Sequence, residues 1–236
     1  MGRTSALHQA MMMGEIDEAG THLRKEAGHF ARLRIDLLHD SVDAVATDKR
    51  SVRLKSGPNL PYDRLLIASG AHAIKPDISG IDLPGVHACW TMEDARRIIG
   101  RAVPGSRVLQ IGAGFIGCII MEALKARGVH LTVVEMGDRM VPRMMTPVAG
   151  TMIRNWCEKQ GVRVHVGTRV TAIRRAGGGE ALTATLDSGK EIEADTLIVA
   201  AGVRPNVDFL RGSGIVCDNG VCVDATMQTN VAGVYA

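Results

Sequence analysis

The sequence predicts an α/β chain with two similar units in tandem, each built from a buried parallel-sheet strand and a β-meander. Two observations predict it: a twenty-residue stretch that recurs without gaps, and a glycine-rich strand–turn–helix ahead of the second copy. The first copy is SVRLKSGPNLPYDRLLIASG, from Ser51 to Gly70, and the second is TATLDSGKEIEADTLIVAAG, from Thr183 to Gly202. Leu54 matches Leu186, Gly57 matches Gly189, Asp63 matches Asp195 and Gly70 matches Gly202, at a constant offset of 132 residues. Each copy reads as a strand, a Ser-Gly turn, a polar strand end and an apolar strand. The runs LLIAS and LIVAA are unbroken, as expected of strands covered on both faces. Each ends in glycine, where a backbone can approach a ligand without a Cβ in the way.

The second copy follows RVLQIGAGFIG, residues 107–117. Val108, Leu109 and Ile111 make an apolar strand, and Gly112, Gly114 and Gly117 form G-x-G-x-x-G. A helix follows, with Ile116, Ile119, Ile120, Ala123 and Ala126 on one face and Gly128 as its C-terminal cap. The next strand, HLTVVE, ends at Glu135, 18 residues after Gly117. In this order the parts predict a Rossmann-like dinucleotide site. Gly112 allows the tight turn, Gly114 lets the backbone meet a pyrophosphate, and Gly117 lets helix and strand pack closely. The helix N-terminus offers unpaired N–H groups and a positive dipole to phosphates. A carboxylate at Glu135 accepts ribose hydroxyls and repels a 2′-phosphate, which favours NAD(H) over NADP(H). Arg139, four residues on, is the competing basic group. The candidate NAD contacts are therefore Gly112, Ala113, Gly114, Phe115, Ile116, Gly117, Glu135 and Gly202.

The bulk composition excludes other classes. Net charge is +3 with the basic residues scattered, which does not suit a nucleic-acid surface. No apolar run reaches the ~18 residues of a membrane helix. The five cysteines lack a CxxC spacing, which fits a reducing, cytoplasmic setting. No HExxH, no GxxxxGK[ST] and no Tyr-x-x-x-Lys is present, and no metal site is expected. The Met11-Met12-Met13 run is expected to pack against a core.

With these motifs in order, the chain resembles the FAD/NAD-linked pyridine nucleotide-disulfide oxidoreductase superfamily, with a nearer likeness to its ferredoxin-reductase and nitrite-reductase flavin branch. YDRLLIASG resembles the family's second flavin motif, so Ala68, Ser69 and Gly70 are the candidate FAD contacts. GVRPN, from Gly202 to Asn206, resembles the return from NAD domain to flavin domain. GVCVDATMQTNVAGVYA resembles the approach to the last flavin motif. Trp90 stands where many relatives carry Arg near the flavin. The resemblance implies an NAD-binding domain, 98–204, inserted into a split FAD-binding domain, 1–97 and 205–236. Thr91 is expected to cap the helix MEDARRIIGRA, with Glu93 and Asp94 in its first turn.

Subtracting 132 from Gly112 places the first copy's glycine turn at position −20, upstream of Met1. The family's Gly-Asp motif is expected just after Ala236. The flavin domain is thus expected to be cut at both ends, and this chain to bind NAD(H) but hold FAD poorly.

The implied activity is hydride transfer from NADH to FAD, then electron delivery to an acceptor protein or small acceptor. The chemistry belongs to the cofactors, so no catalytic side chain is assigned. His8 or Gln9 could face the flavin, although a polar residue on a helix surface is the plainer reading of His8. Two alternatives stand beside it: an NAD-binding fragment without flavin, and a flavin-linked disulfide reductase. The latter rests on Cys217 and Cys222, which flank Asp218-Asn219-Gly220. That hairpin signal is expected to set them face to face on paired strands. A homodimer of the full-length protein is left open.

Overall fold

A computed structural model describes residues 9–22, 24, 26–177 and 179–236. His8 lies outside them. Contacts divide the chain into two units, Met1–Leu23 with Ala73–Val203, and Arg24–His72 with Arg204–Ala236.

The first unit is built on a five-stranded sheet ordered Val86–Ala88, Thr196–Val199, Arg107–Ile111, His130–Glu135, Arg163–Val166. Every pairing in it is parallel. Helices Met92–Arg101, Phe115–Ala126 and Pro147–Lys159 alternate with these strands. A strand's side chains point alternately to its two faces. Val108 therefore joins the helix-side core with Val133, Ile198, Ile98 and Leu124. Leu109 and Ile111 join the opposite core with Leu182, Ala184 and Leu186 of the meander. With both faces covered, Leu109, Leu197 and Ile198 are fully buried, each worth roughly 1.5–3 kcal/mol of apolar transfer.

Local signals place the helices. The Thr91 hydroxyl accepts the Asp94 N–H at 3.1 Å and the Asp94 carboxylate accepts the Thr91 N–H at 2.8 Å. This closes a capping box on Met92–Arg101. Gly128, at φ +74°, stops the Phe115–Ala126 helix in the left-handed region.

The contact grouping differs from the boundaries expected of the sequence. Residues 9–22 and 73–97 group with the glycine-turn domain rather than with the flanking one. Strand Val86–Ala88 is the reason on one side, since it hydrogen-bonds to Thr196–Val199. On the other side residues 9–13 are helical, and Met11 and Met12 are buried in the helix-side core. The Arg127 guanidinium ties the pieces together. It donates to the carbonyls of Ala102 at 2.8 Å, Met12 at 3.0 Å and Ile99 at 2.8 Å.

In the second unit, Val42–Ala46, Ser51–Leu54 and Asn59–Pro61 form an antiparallel meander. Its register repeats that of the first unit's meander. Ser51 faces Pro61 as Thr183 faces Glu193, and Val52 faces Leu60 as Ala184 faces Ile192. The turn glycines Gly57 and Gly189 both have positive φ, +114° and +82°. Val45, Val52, Ile67, Leu210, Ile215 and Val234 form this unit's core.

One expectation fails here. LLIAS does not become a strand buried on both faces. Only Leu65–Leu66 is a strand, and Leu66 is 69% exposed. Its counterpart Thr196–Val199 lies between two parallel neighbours. Leu65–Leu66 has one among the described residues, Val234–Tyr235. Leu65 and Ile67 join this unit's core, while Leu66, on the opposite face, is not covered by it.

Candidate functional site

The site is the turn between strand Arg107–Ile111 and helix Phe115–Ala126. Each glycine has its own steric reason. Gly112 sits at φ +100°, and a Cβ there would lie 2.4 Å from the Ala200 carbonyl oxygen. The chain passes between neighbouring strand ends only without a side chain. A Cβ at Gly117 would lie 2.5 Å from the Gly112 carbonyl oxygen, so helix and turn touch there. At Gly114 a Cβ would meet nothing within 4 Å. That backbone faces open space, where a ligand can approach.

Gly114 is also the helix N-cap, and it has no side chain to satisfy the first N–H groups. An uncapped helix start combines free donors with the positive end of the dipole, the chemistry that holds a phosphate. Phe115 is 58% exposed beside it and Ile116 is half-buried. The residues present therefore fit a dinucleotide pyrophosphate.

Ala113 is fully buried, and its N–H donates to the Glu135 carboxylate at 2.6 Å. The other Glu135 oxygen accepts the Gly137 N–H at 2.7 Å. Glu135 is 8% exposed at the end of its strand. The carboxylate expected to meet a ribose thus also holds the turn. Arg139 does not stand free as a rival. Its guanidinium is paired with Asp138 at 2.7 Å and donates to the carbonyls of Met145 at 2.9 Å and Pro142 at 3.3 Å. Gly202, at φ +103°, accepts the Ile74 N–H at 2.9 Å.

Two residues escaped the sequence reading, one in each unit. Gln110 is fully buried, and its Nε2 donates to the Gly112 carbonyl at 2.8 Å and the Gly117 carbonyl at 3.1 Å. A polar residue inside VLQI was the available signal. The other is Asn206, in the second unit. Its side chain donates to the Ser69 carbonyl at 2.9 Å and its N–H to the Gly70 carbonyl at 2.9 Å. The Ser69 hydroxyl donates to the Asn206 carbonyl at 2.7 Å. Ala68 is exposed and Gly70 half-buried. The Ser69 hydroxyl is therefore engaged within the protein, which sequence could not show.

Gln9 is likewise engaged, donating to the Glu122 carboxylate at 2.7 Å. The two exposed cysteines do not face each other. Cys217 pairs with Val221, and the Cys222 N–H reaches the Val216 carbonyl at 3.0 Å. They sit one register step apart, and successive residues of a strand point to opposite faces. The Cys118 thiol is pushed up to about 12, first by burial and then by Cys157 and Glu135, so it stays protonated beside the turn. Among the described residues no group of three potential metal ligands gathers. No helix among them is long and apolar enough to cross a membrane.

Comparisons with known proteins agree with this geometry. The chain is 34% identical over 196 residues to the NADH-dependent phenylglyoxylate dehydrogenase subunit epsilon of Aromatoleum evansii, covering 83% of this chain and 46% of that protein. It is 31% identical to the ferredoxin–NAD(+) reductase component of the biphenyl dioxygenase system of Paraburkholderia xenovorans, covering 98% and 56%. A crystal structure of the ferredoxin reductase for the CYP199A2 system of Rhodopseudomonas palustris superposes with a TM-score of 0.88 at 26% identity, covering 98% of this chain and 57% of that one. The chain spans about half the length of these relatives. The model of the pyridine nucleotide-disulphide oxidoreductase family matches residues 2–236. With its glycine turn, parallel sheet and paired meanders, the chain belongs to that family.

Proposed function

We propose that the Gly112–Gly117 turn binds NAD(H), with NADH preferred over NADPH, and that the protein is an FAD-dependent NADH oxidoreductase. The observation that carries this is the open backbone at Gly114, at an uncapped helix start, with Glu135 at the end of the adjacent strand. Gly114, Phe115 and Ile116 line the pyrophosphate side, with Gly112, Ala113 and Gly117 shaping the turn behind them. Glu135 serves the adenosine ribose, and Gly202 the nicotinamide side. Ala68, Ser69 and Gly70 serve FAD, with Asn206 holding Ser69 and Gly70 in place. In this reading 98–204 is the NAD domain, while 1–97 and 205–236 belong to the FAD domain.

Flavin, when bound, supplies the two-electron chemistry that accepts hydride from NADH and passes electrons on. The chain's own part is to bind and orient. The helix dipole and turn amides fix the phosphates, and Glu135 fixes the ribose. Relatives named as ferredoxin and rubredoxin reductases support an electron-acceptor protein as the partner, with a small acceptor as the second choice. A disulfide reductase draws nothing from Cys217 and Cys222, given their register. We place the protein in a reducing, cytoplasmic setting on its unpaired cysteines.

The test is direct. Residues 1–236 are purified, NADH and NADPH are titrated by calorimetry, and the visible spectrum is recorded for flavin. Tighter binding of NADH is expected. Absence of NADH binding, or tighter NADPH, would overturn the reading. Near-stoichiometric flavin absorbance would show that this chain holds FAD well, against the expectation from sequence.

A further inference from the structure

Gln110 is the one polar side chain of its strand to face the helix-side core. Its strand neighbours there, Ile198 and Val133, belong to that apolar core. The side chain is fully buried, and its Oε1 has no hydrogen-bond partner among the described residues. Leaving an acceptor orphaned in an apolar core costs free energy, and an apolar residue of the same size would avoid it. Something must offset that cost, and the Nε2 end shows what it is. Its two hydrogens go to the carbonyls of Gly112 and Gly117, the two ends of the glycine turn.

The peptide between Gly112 and Ala113 is gripped from both sides. Its carbonyl accepts from Gln110 at 2.8 Å, and its N–H donates to Glu135 at 2.6 Å. A trans peptide points its C=O and N–H in opposite directions. Pulling the oxygen inward with a carboxamide therefore sets the N–H toward a carboxylate, and the two contacts admit one orientation of the plane. The next peptide is set as well, because the Ala113 carbonyl accepts the Val141 N–H at 2.9 Å. The Gly114 N–H then points away from that loop and finds no acceptor among the described residues.

We propose that Gln110 is a positioning residue of the dinucleotide site: with Glu135 it clamps the Gly112–Ala113 peptide and so presets the Gly114 N–H for a pyrophosphate oxygen. The proposal rests on the reading of this turn as a dinucleotide site, and goes beyond it by assigning the preorganisation to a buried side chain that never touches the ligand. Preorganised donors bind more tightly because the ordering cost has already been met in the fold. Gly117 is part of the same device, since a Cβ there would lie 2.9 Å from the Gln110 Nε2.

The experiment uses Gln110→Met, which keeps the volume and removes both donors, and Gln110→Glu, which burial keeps protonated, leaving one O–H donor for the two carbonyls. For the chain 1–236 and both variants, NADH affinity is measured by calorimetry, hydrogen exchange at the Ala113 and Gly114 amides by NMR, and unfolding by thermal melt. Gln110→Met is expected to bind NADH about tenfold more weakly, ~1.4 kcal/mol. Exchange should be faster at Ala113 and Gly114, with little change in melting temperature, because removing the orphaned oxygen offsets leaving the Gly112 carbonyl without its donor. Gln110→Glu, with one donor left, should fall between Gln110→Met and the unmodified chain. Unaltered NADH affinity and exchange in Gln110→Met would overturn the proposal. So would a loss of affinity matched by a fall in melting temperature and faster exchange throughout the domain, which marks a merely structural role. If the unmodified chain binds no NADH while Gln110→Met still loosens Ala113 and Gly114 alone, the clamp stands and the dinucleotide reading falls.

Discussion

The Glu135 carboxylate accepts the backbone N–H of Ala113 at 2.6 Å, across 22 residues of sequence. The group expected to choose the cofactor therefore also shapes the turn that receives it. Glu135→Ala should act in two ways. It leaves the N–H groups of Ala113 and Gly137 without their acceptor, at about 1–3 kcal/mol for a buried group. It also removes repulsion toward a 2′-phosphate. NADH affinity should fall at least about tenfold and NADPH affinity by less, so the ratio between them narrows. Calorimetric titration of both nucleotides checks this, and a widened ratio would count against it.

Gly114 and Gly117 should separate binding from folding. Gly114 lies at φ −72°, a conformation open to alanine, with space around its Cα. Gly114→Ala should keep the melting temperature within a degree or two and weaken NADH binding, because the added methyl fills the approach to the backbone. Gly117→Ala must displace the Gly112 carbonyl or the Gln110 amide. Overpacking of this kind costs roughly 1–3 kcal/mol, so it should lower both melting temperature and affinity. Equal melting temperatures for the two variants would contradict the assignment.

Arg107 and Asp195 predict a pH dependence of stability. The Arg107 guanidinium, at 2.6 Å, holds the Asp195 carboxyl below the usual carboxylate range, against the opposing effect of burial. A carboxyl whose value is lowered in the folded state contributes stability above its unfolded value, near ~3.9. That contribution is lost as pH falls through the lowered value. Both side chains are more than a third exposed, 38% and 42%, so solvent keeps the gain to about 1 kcal/mol or less. Asp195→Asn should melt slightly below the unmodified chain at pH 7, and the difference should shrink steadily below about pH 4. A difference that grows on acidification would be inconsistent with this pairing.

The cysteines should divide by reactivity. Cys217 and Cys222 are exposed, while Cys89 and Cys157 are buried. Burial pushes the Cys89 and Cys118 thiols up to about 12, so little thiolate is available there. Titration of the native chain with a chromogenic disulfide should show two fast thiols, removed together by changing Cys217 and Cys222 to Ser. That double variant should bind NADH as the unmodified chain does, and in a preparation that holds flavin it should retain NADH-dependent dye reduction. Loss of flavin reduction by NADH would restore the disulfide-reductase reading.

Much of the fold was legible because its signals are local. Thr91 with Asp94, Gly128 after its helix, and Asp218-Asn219-Gly220 in its hairpin each act within a few residues, through caps and backbone angles. The repeat predicted the shared meander register, since the same pattern of alternating side chains must pair the same way. The glycine turn and Glu135 were legible for the same reason: Gly112 and Glu135 follow or close a strand, and Gly114 and Gly117 open the helix after it.

The sequence by itself determined the α/β class, the repeat, the glycine turn and the acid-ended strand. The class, the repeat and the acid-ended strand follow from periodicity, and the turn from the spacing of its glycines, of which Gly112 alone needs a positive φ. The tertiary structure alone decided which groups meet across the turn. Glu135 reaches Ala113 because their strands are neighbours, and Gln110 reaches Gly117 because the helix folds back over its own strand. It also decided that Arg127 would hold Met12, that Asn206 would take the Ser69 hydroxyl, and that Leu66 would stay exposed. Hydrogen-bond partners and burial depend on which strands become neighbours, and side-chain periodicity along one strand carries no information about that.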